Sequence, residues 1–333
     1  MVSVWRRPNA IRPKSFRFRS ILISMNRRPV TWSTKLSNFM RNLPHSVLLI
    51  GSEGFLGKTL KKLLEFHGYD VIGIDIKASD DAGTYRRFIH KNIHDLTPED
   101  LSFVASLGSY GLINAGGVSR SGIAAQNASQ SSHDTITSYL KLLEMLDETP
   151  PEWMALTSTR EVDLLLNGKE GLSGKRLIYP ALKLGTELIA ESFQSHWRIP
   201  VAIFRLSDLF GPGDHPSKAM QTFLRKAKSN EDIYVDAPEL KLHLTEVNEV
   251  AERIYAEVCR MTLAPVPQTE LIHVWDGDYA LSLLELAYLA CELNPQSRSV
   301  VVTPYPMSLE YGVLEKLTLP HRRVLEKINA ALG

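Results

Sequence analysis

Regular alternation of apolar and polar positions begins at Ser46. A continuous apolar run, Val47-Leu48-Leu49-Ile50, stops at Gly51, and Leu56, Leu60, Leu63 and Leu64 follow at helical spacing. A short unbroken run closed by glycine is the pattern of a strand buried on both faces. Recurrence every three to four residues instead buries one face of a helix. Gly68 predicts the helix stop and Val71 to Ile76 a second buried strand, which completes a strand-helix-strand unit of about 30 residues.

Further apolar strands are predicted at Phe88 to Ile93, Leu112 to Ala115, Trp153 to Ser158 and Val201 to Leu206. Helices fall between them, one marked clearly by Tyr139, Leu142, Leu143 and Leu146. Strands that alternate with helices imply a parallel sheet covered on both faces, because parallel neighbours need crossover connections. The expected fold class is therefore α/β, a doubly wound parallel sheet. Beyond Phe210-Gly211-Pro212-Gly213 the alternation weakens and Pro265, Pro267, Pro304, Pro306 and Pro320 accumulate. A smaller mixed α/β domain is expected over 211–333, after a larger first domain over 45–210.

Composition adds one asymmetry. The stretch 1–44 holds Lys14, Lys35 and eight arginines but no acid, which leaves 28 basic against 37 acidic residues elsewhere, a net of −9. A mildly acidic body argues against nucleic acid as the main partner, since phosphate neutralisation needs a basic surface. The basic start is expected to be a disordered tail or an over-extended beginning, with Met25 or Met40 as initiator. Organelle targeting is the alternative, against which Pro8 and Pro13 interrupt any amphipathic helix. The expected compartment is the cytoplasm, or the mitochondrion if that start is a presequence. No apolar run reaches the roughly 18 residues of a membrane span. Cys259 and Cys291 stand alone without metal-ligand spacing, so no metal site and no disulfide framework is expected. His273 and His321-Arg322-Arg323 read as a packed strand residue and a solvated charged face, and the sequon at Asn127 as structural.

The chemistry gathers at two motifs. Gly51-Ser52-Glu53-Gly54-Phe55-Leu56-Gly57 lies between the first strand and first helix, where glycines permit a tight turn, approach of a pyrophosphate and close helix packing. Asp75 ends the second strand, where an acid accepts hydrogen bonds from adenosine ribose hydroxyls and repels a 2′-phosphate; NAD is expected over NADP, with Lys77 nearby as the opposing sign. The second motif, Tyr179-Pro180-Ala181-Leu182-Lys183, puts a phenol and an ammonium on one helix face. A phenol is a poor base near neutrality unless a neighbouring ammonium stabilises its phenolate.

The glycine spacing G-x-x-G-x-x-G, Asp75, Leu112-Ile113-Asn114-Ala115-Gly116, Ser158-Thr159, Tyr179-x-x-x-Lys183, Arg205 to Gly213 and Ser282-Leu283-x-Glu285-Leu286-Ala287 occur in one order. In that order, from about residue 46 to about 290, the chain resembles the extended short-chain dehydrogenase/reductase family, also called the NAD-dependent epimerase/dehydratase family. The resemblance implies a Rossmann-type fold and a catalytic set of Thr159, Tyr179 and Lys183, with Tyr179 exchanging a proton with the substrate and Thr159 hydrogen-bonding the reacting oxygen. It implies contacts to the dinucleotide from Gly51, Gly54, Phe55, Leu56, Gly57, Asp75 and Ile76. Asn92, Ile93, Asn114, Ala115, Gly116 and Leu206 are expected to join them, as are Tyr179 and Lys183.

Two departures narrow the expectation. Sugar dehydratases of the family follow the Thr with Asp and Glu; here Arg160 replaces the Asp while Glu161 remains, which makes dehydration less expected than oxidation, reduction or epimerisation. Members that act on nucleotide sugars carry an Arg for the diphosphate where this chain has Leu242, so Lys241 or Arg225 would have to substitute as point charges. Arg160, Glu161, Arg225 and Lys241 are the candidate substrate contacts. The expected function is an NAD-dependent epimerase/dehydrogenase acting on a sugar, nucleotide-linked in the leading version. Alternatives are a ketoreductase or dehydrogenase for a non-nucleotide substrate, and a cofactor-sensing protein without chemistry. Family members are often dimers through a pair of helices; those around Tyr139 to Leu146 and Tyr179 to Phe193 could serve a homodimer here, or their apolar stripes belong equally to the core.

Overall fold

The computed structural model describes residues 46–168, 172–274 and 280–304, together with Leu325, Glu326 and Asn329. The basic N-terminal stretch, Trp275, Pro306, Pro320 and His321-Arg322-Arg323 lie outside the described residues. From Ser46 the chain alternates strand and helix as its apolar pattern requires. Strand β1 (Ser46–Ile50) leads to α1 (Phe55–Phe66), β2 (Asp70–Asp75), β3 (Arg87–His90) and β4 (Tyr110–Asn114). Helix α2 (Ser138–Met145), β5 (Trp153–Thr159), α3 (Glu161–Leu166), α4 (Ile178–Trp197) and β6 (Val201–Leu206) follow.

Six of these strands and β10 (Thr269–Val274) form one parallel sheet in the order β10-β6-β5-β4-β1-β2-β3. The chain builds outward from β1 to β3, then returns to the other side of β1 for β4 onward. That reversal opens a crevice at the carboxyl ends of β1 and β4, the place where open α/β sheets bind ligands. Alternation along β1 assigns its side chains to opposite faces. Val47 and Leu49 join Leu60 and Leu64 of α1 on one side, while Leu48 and Ile50 join Leu142 and Leu143 of α2 on the other. Helix α6 (Val247–Leu263) packs beside α1 through Val250, Ile254 and Val258.

Three expected strands end early, β4 by one residue at Asn114 and two others for local reasons. The second stops at Asp75, whose Oδ1 accepts the Lys77 N–H at 2.8 Å and turns the chain. The third stops at His90, since the Asn92 side chain accepts the His94 N–H at 3.2 Å and starts a single 3₁₀ turn.

A separate core is built from chain segments on either side of β10. Strand β7 (Asp208–Phe210) pairs parallel with β9 (Lys241–Glu246), which pairs antiparallel with β11 (Ala280–Ser282). A two-stranded pair joins β8 (Ile233–Tyr234) and β12 (Val301–Val302). Helices α5 (Ala219–Ser229) and α7 (Leu283–Glu292) cover them, with Phe210, Phe223, Leu224, Leu281 and Leu286 inside. The Ser282-x-x-Glu285 landmark is a helix-start device: Ser282 Oγ accepts the Glu285 N–H at 3.1 Å and Glu285 Oε2 accepts the Ser282 N–H at 2.8 Å. Among the described residues, no helix is long and apolar enough to cross a membrane.

Candidate active site

The glycine loop sits at the crevice because β1 ends there. Gly51 N–H donates to the Ile74 carbonyl at 2.8 Å, and the Ala115 N–H donates to the Ile50 carbonyl at 3.0 Å. Gly51 has φ of +74°, and a Cβ on it would stand 2.9 Å from the Ala115 backbone. A Cβ on Gly57 would stand 2.0 Å from the Gly51 carbonyl oxygen, so helix α1 reaches its depth only with glycine there. Helix α1 begins without a side-chain cap and without an acid in its first turn. The N–H groups of Phe55, Leu56 and Gly57 therefore keep no intrahelical acceptor, which is the donor set a pyrophosphate requires.

Asp75 lies at the adjoining strand end, buried, where its Oδ2 accepts the Glu53 N–H at 2.8 Å. Ile76 beside it is 65% exposed. Asn114 closes β4 and its Oδ1 accepts the Gly116 N–H at 3.0 Å, which bends Ala115 and Gly116 over the loop. A small cavity brings together Ile93, Asn114, Gly116, Asp134, Thr135 and Lys183, so the end of β4, the turn after β3 and α4 face one space. Thr135 belongs to a π-helical turn, His133–Thr137, that precedes α2. Asn92 donates to Asp134 Oδ1 at 3.4 Å on the rim. Leu206 closes β6 and its carbonyl accepts the Arg160 N–H at 2.8 Å.

Thr159 ends β5, and Tyr179 and Lys183 occupy consecutive turns of α4 facing it. All three are buried. The Lys183 ammonium donates to the Thr157 carbonyl at 3.1 Å. Burial pulls its pKa down to about 8, although Glu187 opposes the shift. Tyr179 is shifted the other way. Burial raises its pKa well above the ordinary phenol value; the Glu161 and Asp208 carboxylates push the same way, against a smaller lowering by the Thr159 hydroxyl.

Opposite Tyr179, Glu161 takes both hydrogen-bond contacts of the Ser121 hydroxyl, at 2.9 and 2.7 Å. Burial raises its pKa against that hydrogen bond. Asp208 Oδ2 accepts the His243 N–H at 3.1 Å, and Arg160 acts electrostatically on Glu161, Asp208 and His243 together. Arg160 and Glu161 thus belong to the rim of the Tyr179 site. Lys241 is exposed at the start of β9 and Arg225 is exposed on α5. Leu242 turns into the C-terminal core, which accounts for an apolar residue there.

A buried ionic network behind the site is absent from the set of residues expected from sequence. The Ser158 hydroxyl hydrogen-bonds Glu187, and Arg205 binds the same carboxylate through Nε at 3.0 Å and Nη2 at 2.6 Å. Arg205 Nη1 also reaches Asp163 Oδ1 at 2.6 Å, and His273 Nε2 lies 3.2 Å from that oxygen. The signal in the sequence is spacing: Glu187 follows Tyr179 and Lys183 at the next helical turn on the same face. Among the described residues, no group of three or more His, Cys, Asp or Glu is arranged to hold a metal.

A strand-glycine turn-helix with free N-terminal donors, an acid at the second strand end and a Thr-Tyr-Lys set across the crevice define a dinucleotide-dependent enzyme class. The chain matches the NAD dependent epimerase/dehydratase family over residues 47–252, and it belongs to that family. Among solved structures, it is similar to UDP-glucose 4-epimerase of Thermotoga maritima with UDP-glucose, at 17% identity and TM-score 0.65, over 86% of this chain and 100% of that one. It is also similar to UDP-glucose 4-epimerase of Thermus thermophilus with NAD, at 15% identity and TM-score 0.66, over 86% and 98%. An NAD-dependent NDP-hexosamine 5,6-dehydratase of tunicamycin biosynthesis is similar at 20% identity and TM-score 0.63, over 86% and 95%. Among the curated proteins, none matches the chain by sequence.

Proposed function

We propose that this chain is an NAD-dependent epimerase/dehydrogenase that works at a hydroxyl or keto carbon of a sugar, nucleotide-linked in the leading version. The observation that carries the reading is the convergence of Thr159, Tyr179 and Lys183 at the end of β5, beside a glycine turn whose helix leaves its first N–H groups free. Phe55, Leu56 and Gly57 N–H groups would hold the pyrophosphate and Asp75 the adenosine ribose. NAD, when bound, accepts hydride from a carbinol carbon and returns it to a carbonyl.

The protein's share is proton transfer and orientation. Tyr179 takes the proton of the substrate hydroxyl, or returns it to the keto oxygen, while the Thr159 hydroxyl hydrogen-bonds that same oxygen. A raised pKa keeps the proton on Tyr179, which leaves it available for return to the keto oxygen. For the accepting direction the Lys183 ammonium must offset the Glu161 and Asp208 charges. The same reading places the sugar between the strand-helix body and the small C-terminal core, over 45–210 and 211–333, in a homodimer.

Tyr179→Phe tests it. With a substrate drawn from a nucleotide-sugar screen, turnover should fall by roughly a thousandfold while NAD still binds; full turnover would remove Tyr179 from the chemistry. One observation favours a second reading, a dehydrogenase for a non-nucleotide substrate: Leu242 packs inward where a diphosphate would need a cation. Cofactor that stays bound without net change in NADH supports epimerisation, and stoichiometric NADH supports the dehydrogenase.

A further inference from the structure

Glu53 is the third residue of the glycine loop, and the turn has no use for its side chain. It is nonetheless 6% exposed, although an ionised carboxylate is costly to bury unless its position does something. The Tyr85 hydroxyl donates to its Oε1 at 2.6 Å, and the Lys58 ammonium lies 3.2 Å from its Oε2. Tyr85 is itself fixed, since Gly73 on β2 leaves no side chain between them: a Cβ there would lie 2.5 Å from the Tyr85 ring. Burial favours the protonated acid, but hydrogen bonds from Ser79, Tyr85 and Lys58 outweigh it and hold the pKa below the ordinary glutamate value.

The backbone of this residue makes the decisive link. Glu53 N–H donates to Asp75, so the residue is tied through its backbone to the strand end that would receive the adenosine ribose. Its side chain lines a cavity of about 150 Å³ with Lys58, Lys61, Lys62, Asp80 and Asp81. Three ammonium groups there meet three carboxylates. Lys61 is already paired with Glu65 at 2.8 Å, so what loss of the Glu53 charge frees is Lys58, a cation able to meet a phosphate dianion. A buried charge is also poorly screened, so it acts on a neighbouring phosphate more strongly than a surface acid would.

We infer that Glu53 is a second cofactor-selecting carboxylate, which works beside Asp75 by denying the lysine-lined cavity to a ribose 2′-phosphate. The inference rests on the dinucleotide reading above and adds a distinct role to it. Asp75 would both bind the ribose hydroxyls and repel the phosphate, whereas Glu53 only repels. Substituting the two should therefore give different patterns.

Calorimetric titration of the full chain with NAD⁺ and with NADP⁺ separates them. The wild type should bind NADP⁺ about a hundredfold more weakly than NAD⁺, a gap of about 2.7 kcal/mol. Glu53→Gln keeps an acceptor for Tyr85 and should narrow the gap about tenfold by tightening NADP⁺, with NAD⁺ changed by no more than about twofold. Glu53→Ser should act in the same direction and serves if the Gln variant does not fold. Asp75→Asn should weaken NAD⁺ as well. An unchanged ratio in both Glu53 variants, with NAD⁺ still bound, overturns the role of Glu53 and leaves the cofactor site standing. Failure of the folded wild type to bind either dinucleotide overturns the site and this inference together.

Discussion

Arg205 holds Glu187 with two parallel hydrogen bonds, one helical turn beyond Lys183. A planar guanidinium matched to a carboxylate in this way cannot be replaced by lysine, which offers only a point charge. Arg205→Met would leave Glu187 buried without its cation, and the expected loss is about 3–5 kcal/mol in urea denaturation. The double change Arg205→Met with Glu187→Gln should recover part of it, because the stranded charge is gone.

Lys183 makes stability depend on pH. Its pKa in the fold is about 8 against an ordinary 10.5, so between those values the unfolded chain binds the extra proton. Stability is therefore lowest, on account of this group, below about pH 8 and rises as pH climbs from there toward 10.5. The full difference is about 3 kcal/mol. Denaturation of the wild type and Lys183→Met between pH 7 and 10 checks it: the rise should be missing in the variant, and parallel curves would refute the burial of a charge at this position.

If Tyr179 carries the proton as proposed, Glu161 tunes the range in which it works. Its carboxylate raises the phenol pKa, so Glu161→Gln should move the acid limb of the rate profile in the oxidising direction toward lower pH. Asp208→Asn should act in the same direction to a smaller extent. A limb that stays in place in both variants would mean that another group controls it.

Gly57 is a steric requirement of the fold, whatever it binds. Gly57→Ala forces a methyl into the Gly51 carbonyl and is expected to lower stability by about 3 kcal/mol or more. Gly83→Ala, which meets nothing within 4 Å, is the control and should stay within about 0.5 kcal/mol. Thermal melting of the two proteins compares them directly.

What sequence conveyed here depended on range. Val47 to Ile50 and Val71 to Ile74 announce themselves because strands buried on both faces need unbroken apolar runs. Gly51, Gly57, Tyr179 and Lys183 are legible because each motif is local. The Glu187–Arg205–Asp163 network is not, since its members are joined only when α4, β6 and α3 fold together. Glu53 was hidden for another reason: a polar residue in a loop reads as solvated, and only Tyr85, 32 positions on, shows that it is enclosed. The strand at His273 is legible, although His273 is exposed rather than packed; the pairing of β10 with Val201 to Leu206 follows from a helix, α6, that returns to the sheet.

That late pairing has a consequence for biosynthesis. Strand β6 lies between β5 and β10, and β10 begins only at Thr269. A growing chain that has emerged through α6 thus presents Val201 to Leu206 with one row of amide and carbonyl groups open to any other strand. Chains arrested or cleaved in the segment 264–268 would carry a long apolar edge of this kind, and they are the species most prone to self-association during synthesis.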